Sequence, residues 1–224
     1  MATEIGRNLT GKKLYELLKE DIIQLRLEPG LSISEKGISE KYNVSRTPVR
    51  EAFLLLSQEG LLDIYPQKGT FVSLINLSAV EEARFLREHM ERAIIKLACT
   101  TDFPEEKLIF LEMNVKVQQM CIKKKDYIEA FKADEEFHKT IFEGCNKLRT
   151  WNTICQVEMD FQRIRVLTLT SNLKVDDITS QHIVLIDSIK NKKPEVADEI
   201  MKNHLTMINF NLNKIKENYP EYFK

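Results

Sequence analysis

The stretch VSRTPVREAF, residues 44–53, decides how the first third of the chain is read. Ser45 is a good helix N-cap, Pro48 is tolerated in a first helical turn, and Val49, Ala52 and Phe53 begin an apolar face. A helix is therefore predicted over about 46–59, with Gly60 as its stop. Arg46 and Arg50 then stand one turn apart on one helix, beside Ser45 and Thr47 at its N-terminal end. Recognition helices touch base edges with their N-terminal residues, and arginine's planar fork matches the O6 and N7 acceptors of guanine. The alternative is a solvated face, with Arg50 paired to Glu51 or Glu20 and Arg46 in water. The surroundings of the stretch decide between the two.

Upstream, Leu14, Leu17, Leu18, Ile22 and Leu25 form a helical stripe that predicts a first helix over about 11–27, ended by the Pro29-Gly30 turn. Ser34 can cap a second helix over about 35–42, and Tyr42-Asn43-Val44 turns the chain into the third. Downstream, LLDIYP (61–66) and GTFVSLI are short extended runs joined by QKG, which reads as a β-hairpin. Three helices and a small β-hairpin in this order make a winged helix-turn-helix. Lys36 on the second helix and Lys68 and Gly69 in the hairpin loop can flank the groove that Arg46 and Arg50 would enter. The formal net charge is −1, so any affinity for DNA has to come from this local patch.

Of seven glycines only Gly144 lies beyond Gly69, and the composition shifts near LINLSA, residues 74–79. Two domains follow: a winged helix-turn-helix over 10–74 behind a flexible tail of 1–9, and an all-α six-helix bundle over 78–218. The bundle helices are predicted at about 78–100, 104–124, 126–144, 147–170, 176–191 and 194–217. The fold class is mainly α. With 43% apolar residues the chain can bury a proper core. Neither an N-terminal apolar leader nor a membrane-length apolar run is present, so a cytoplasmic location with no membrane partner is expected. Cys99, Cys121, Cys145 and Cys155 are widely spaced without a CxxC pair, and reduced, mostly buried thiols are expected.

Three of the four histidines carry the second candidate site. Asp134 and His138 share one helix face at i and i+4, which pre-orients an oxygen and a nitrogen toward one ion. His182 and His204 sit among apolar helical positions and are expected to face the bundle interior, where facing helices commonly build metal sites. A set of three histidines and one carboxylate suits zinc, nickel, manganese or iron(II). The alternative for each is a hydrogen-bonded core histidine. His89, next to Glu88, reads as a surface or interface residue. An ion with such ligands could also activate water in a hydrolase, but no HExxH or other catalytic signature is present, and the chain is read as a non-enzyme.

The run LEPGLSISEKGISEKYNVSRTPVREAFLLLSQEGLLDIYPQKGTFV resembles the DNA-binding module of the GntR family of bacterial transcriptional regulators. The second half is similar to the all-helical FCD domain of its FadR-type subfamily. The shared hallmarks are RxxxE from Arg87 to Glu91, DxxFH from Asp134 to His138, HxxLIDSI from His182, and Asn203-His204-Leu205. Six helices point to the VanR-like branch. The resemblance implies that Lys36, Ser45, Arg46, Thr47, Arg50 and Lys68 meet DNA and that Gly69 lets the wing enter the minor groove. It implies a divalent metal, zinc first, held by Asp134, His138, His182 and His204. It implies also that Arg87 clamps a small carboxylate effector, with an ion pair to Glu91 as the alternative. The function implied is a ligand-responsive repressor that binds a palindromic double-stranded DNA operator as a homodimer. The ion could instead be structural, or itself the signal.

Overall fold

The computed structural model describes residues 10–171, 178–206 and 212–224. The chain divides into two compact units, Met1–Leu77 with Tyr219–Lys224, and Ser78–Asn218. The expected tail of 1–9, the start of the helix expected from 176, and positions 207–211 of the last expected helix lie outside the described residues.

In the first unit, α1 (Gly11–Ile23), α2 (Glu35–Tyr42) and α3 (Arg46–Gln58) pack around Leu14, Leu18, Ile22, Val49, Phe53 and Leu56, all buried. Helix α1 stops four residues before the expected end. Leu25 takes a left-handed φ of 59°, and the Leu27 amide turns back to donate to the Asp21 carbonyl at 3.0 Å. The stripe that seemed to run on to Leu25 thus ends in a tight reversal that tucks Leu27 into the core. The Ser34 hydroxyl caps α2 by accepting from the Gly37 amide at 3.0 Å. Ser45 stands at the N-cap of α3, but its side chain makes no capping bond.

The expected hairpin is β2 (Leu62–Tyr65) with β3 (Gly69–Val72), paired antiparallel from Leu62 opposite Val72 to Tyr65 opposite Gly69. A third strand, β1 (Ser32–Ile33), adds to the far edge of β3, giving the order β1-β3-β2. Two residues carry no alternation, so nothing in the sequence marked β1 as a strand. Gly69 closes the wing turn at φ 121°, a conformation that side chains rarely adopt. The last residues return to this unit. Ile75 and Phe223 form a parallel bridge, with the Ile75 amide donating to the Tyr222 carbonyl at 2.8 Å.

The second unit holds α4 (Leu77–Thr100), α5 (Glu105–Lys123), α6 (Tyr127–Gly144), α7 (Leu148–Val157), α8 (Met159–Thr170), α9 (Ile178–Lys190), α10 (Pro194–Thr206) and α11 (Leu212–Asn218). Their shared core includes Ile95, Leu111, Phe137, Ile141, Phe142, Trp151, Leu185 and Met201. One expected helix is two among the described residues, so the six-helix count that suggested the VanR-like branch does not hold. The helix expected over 147–170 is broken at Glu158, which ends α7 and precedes α8. Its carboxylate is fully buried and accepts from Arg87 Nη1 at 2.8 Å. Of the last expected helix, the described residues include α10 up to Thr206 and α11 from Leu212.

Losing a side-chain cap typically costs about 1 kcal/mol. Ser34→Ala should lower the stability of the DNA-binding unit by that amount, read from the urea midpoint with unchanged slope.

Candidate DNA interface and metal centre

Helix α3 displays Arg46, Thr47 and Arg50 to solvent, and Ser45, Lys36, Lys68 and Gly69 are exposed as well. Arg50 pairs with neither Glu51 nor Glu20. Its Nε donates to Glu35 at the start of α2, 2.8 Å from Oε2 and 3.0 Å from Oε1. Lys36 lies 3.9 Å from Glu40 across one turn of the same helix. Exposed pairs of this kind contribute about 0–1 kcal/mol, so either cation can exchange its carboxylate for a phosphate at small cost. Arg46 and Lys68 have no ion-pair partner among the described residues.

The second site joins three helices by their inward faces. Asp134 and His138 come from α6, His182 from α9 and His204 from α10. One ligand atom from each lies within 4.8 Å of all the others. His138 Nε2 is 3.1 Å from His204 Nε2 and 3.9 Å from Asp134 Oδ2, and His182 Nε2 is 3.5 Å from Asp134 Oδ1. Ligands bound about 2 Å from a common ion stand roughly 3 to 4 Å apart, so these separations fit one ion.

What aims the rings is the other nitrogen of each. His138 Nδ1 bonds Glu91 Oε2 on α4, His182 Nδ1 bonds Gln118 Oε1 on α5 at 2.9 Å, and His204 Nδ1 bonds Gln181 Oε1 on α9 at 2.9 Å. Gln118 is itself oriented, because its Nε2 donates to Asn114 Oδ1 at 2.7 Å and so leaves the oxygen for His182. An acceptor oxygen at every Nδ1 places the proton there and a lone pair on every Nε2. His138 and His204 then face each other lone pair to lone pair, and His182 Nε2 is buried with no hydrogen-bond partner among the described residues. A cation between them resolves both conflicts. Burial pushes the pKa values of His182 and His204 well below the usual range, which keeps them in the neutral form that ligates metal. Burial alone would raise Asp134, but the guanidinium groups of Arg165 and Arg87 outweigh it and hold the carboxyl below its ordinary value.

Arg87 is fully buried and takes the alternative that the sequence left open. Its Nε donates to Glu91 at 2.5 Å, and Nη1 donates to Glu135 at 2.9 Å and to Glu158 at 2.8 Å. Its Nη2 has no partner among the described residues. Burial would raise Glu91, yet His138 and Arg87 bring it down to about 2. Arg165 on α8, unremarked in the sequence, pairs with both Asp134 and Glu135. It is the guanidinium in direct contact with the candidate ligand carboxylate. Glu135, Cys155 and Glu158 also gather, but Arg87 Nη1 bridges the two carboxylates and is the cation there. His89 is exposed, its Nδ1 2.7 Å from the Phe85 carbonyl oxygen.

Sequence reasoning missed Glu91, Gln118, Gln181 and Arg165 as parts of the site. Gln118 had a usable signal, since it stands with Leu111, Asn114 and Val115 on the buried face of α5, where an amide needs an interior partner. Gln181 had none.

Comparison with known proteins follows the same division. Residues 10–72 match the family described as bacterial regulatory proteins, gntR family, and residues 82–207 match the FCD domain. An HTH-type transcriptional repressor of Escherichia coli, RspR, is 28% identical over 212 residues, covering 95% of this chain and 92% of its own. An uncharacterized HTH-type regulator of Streptomyces ambofaciens is 30% identical over 225 residues, covering 100% and 93%. The solved structure of E. coli McbR/YncC superposes with a TM-score of 0.78 over 93% of this chain and 98% of its own, at 19% identity, a likeness of fold. No helix among the described residues is long and apolar enough to cross a membrane. The chain belongs to the GntR family of bacterial regulatory proteins, in the group that carries an FCD domain, and it is a DNA-binding transcriptional regulator and not an enzyme.

Proposed function

We propose that the protein is a metal-dependent repressor that binds a palindromic operator as a homodimer and responds to a small carboxylate. The observation that carries this reading is the convergence of three Nε2 atoms on Asp134 while every Nδ1 is already committed. A divalent ion, zinc first by its taste for imidazole, would be held by Asp134, His138, His182 and His204 and would supply Lewis-acid affinity for a carboxylate. The protein's own contribution to binding that acid is guanidinium. Arg165 already pairs with Asp134, and Arg87 Nη2 is a buried donor without an acceptor among the described residues. An effector that binds two arrangements of the dimer unequally, typically by about 1–3 kcal/mol, shifts operator occupancy by the same amount. Repression is supported by the E. coli relative, which is named a repressor.

Complete burial of His138 and His182 favours a second reading, in which the ion is structural. A chelator separates them. A structural ion costs fold stability when removed, whereas a sensory one changes operator affinity with the fold intact. On the effector reading, small carboxylic acids raise Tm only in the metal-loaded protein, and a raised Tm in chelated protein would refute it.

Two substitutions address the two sites. Arg46→Ala should weaken operator binding by about 1–3 kcal/mol and leave scrambled DNA nearly unaffected, measured by fluorescence anisotropy at fixed salt. Gln118→Leu keeps the volume but removes the acceptor that aims His182, and outer-shell losses of this kind cost about 10–100-fold in metal affinity. Competition against a chromophoric chelator reads that loss directly, and unchanged affinity would show that His182 does not bind the ion.

A further inference from the structure

Helix α5 is turned the wrong way for a helix facing water. Its inner face includes the polar Asn114 and Gln118, while Ile109, Phe110, Met113, Val117 and Met120 point outward. Met113 is 61% exposed, Met120 53% and Ile109 51%. The spacing 110, 113, 117, 120 alternates three and four residues, the repeat of a helix seam rather than a scatter of single surface residues. At 1.5 Å per residue the stripe from Ile109 to Met120 is about 17 Å long. A helix apolar on its outer side belongs against another helix.

Charge along α5 says which helix. The first turn is acidic, with Glu105 and Glu106, and the end is basic, with Lys123. A second copy of α5 running antiparallel across a two-fold axis sets Glu106 of each copy opposite Lys123 of the other, and Ile109 opposite Met120. The same operation places each acidic helix start beside the other's basic end, and one patch serves both copies, as a two-fold contact requires. A parallel pairing would oppose Glu106 to Glu106 and Lys123 to Lys123.

We infer that the outer face of α5 is the homodimer interface, with the two copies antiparallel and Ile109 opposite Met120. The inference deepens the dimeric operator reading above and rests on it. Sedimentation velocity of the full-length protein tests it. The wild type should be a dimer. Because a charge in the middle of an apolar seam acts as at an interface hot spot, Met113→Glu should weaken dimerisation by about 100-fold, with helicity and metal content unchanged. Glu106→Lys and Lys123→Glu should each weaken it by about tenfold, and the double variant should restore it, since the opposed charges are only exchanged. A Met113→Glu protein as dimeric as wild type would place the interface elsewhere and leave the dimeric reading standing. A monomeric wild type would remove both. A double variant no tighter than the single ones would overturn the antiparallel register.

Discussion

The second unit is organised by the need to keep buried charges paired. Asp134, Arg165, Glu135, Arg87, Glu91 and His138 form a chain in which each contacts the next, and it closes where His138 approaches Asp134. Charges taken out of water are tolerated only with such partners, and removing one member leaves another uncompensated. The ring therefore fixes α4, α6 and α8 to one another at the level of the candidate metal ligands. Glu158 adds a further carboxylate to Arg87, and the break between α7 and α8 falls at that residue.

The two units use the same ion pairs to opposite ends. Around α3, Arg50 and Lys36 are exposed and each held by a single carboxylate that water screens, an arrangement from which a phosphate would displace them at small cost, while Arg46 and Lys68 have no ion-pair partner among the described residues. Around His138 the pairs are dry, multiple and geometrically fixed, and they hold imidazole lone pairs on a common centre. A reader of DNA needs mobile cations on its surface. A candidate metal site needs ligands that do not relax.

What the sequence made legible was local. Asp134 and His138 lie one helical turn apart, so their shared face follows from helix geometry alone, and the run of residues 44–53 carries its helix, its cap position and its arginines in ten residues. The convergence of α9 and α10 on α6 is tertiary, and was available only through the resemblance to the FCD domain. The resemblance to the FCD domain implies an effector for Arg87, but the buried Glu91 and Glu158 and the partly buried Glu135 claim it first. Two of these stand 48 and 71 residues away, beyond any periodicity. The same limit hid Glu35 as the partner of Arg50, and β1, whose two residues are a strand only because β3 lies beside them.

Helix α5 links these levels. Its inner face presents Gln118, which aims His182, and its outer face presents the Met113 seam assigned to the second copy. Both sit on one continuous helix, Glu105–Lys123, with Gln118 less than two turns from Met113. A packed helix shifts as a body and does not bend residue by residue, because its neighbours are close-packed along its length. On the proposed α5 interface, a change in how His182 is held would be felt at the seam, and a change in the seam would be felt at His182. Reciprocity of this kind is what linkage demands of a ligand that alters operator binding.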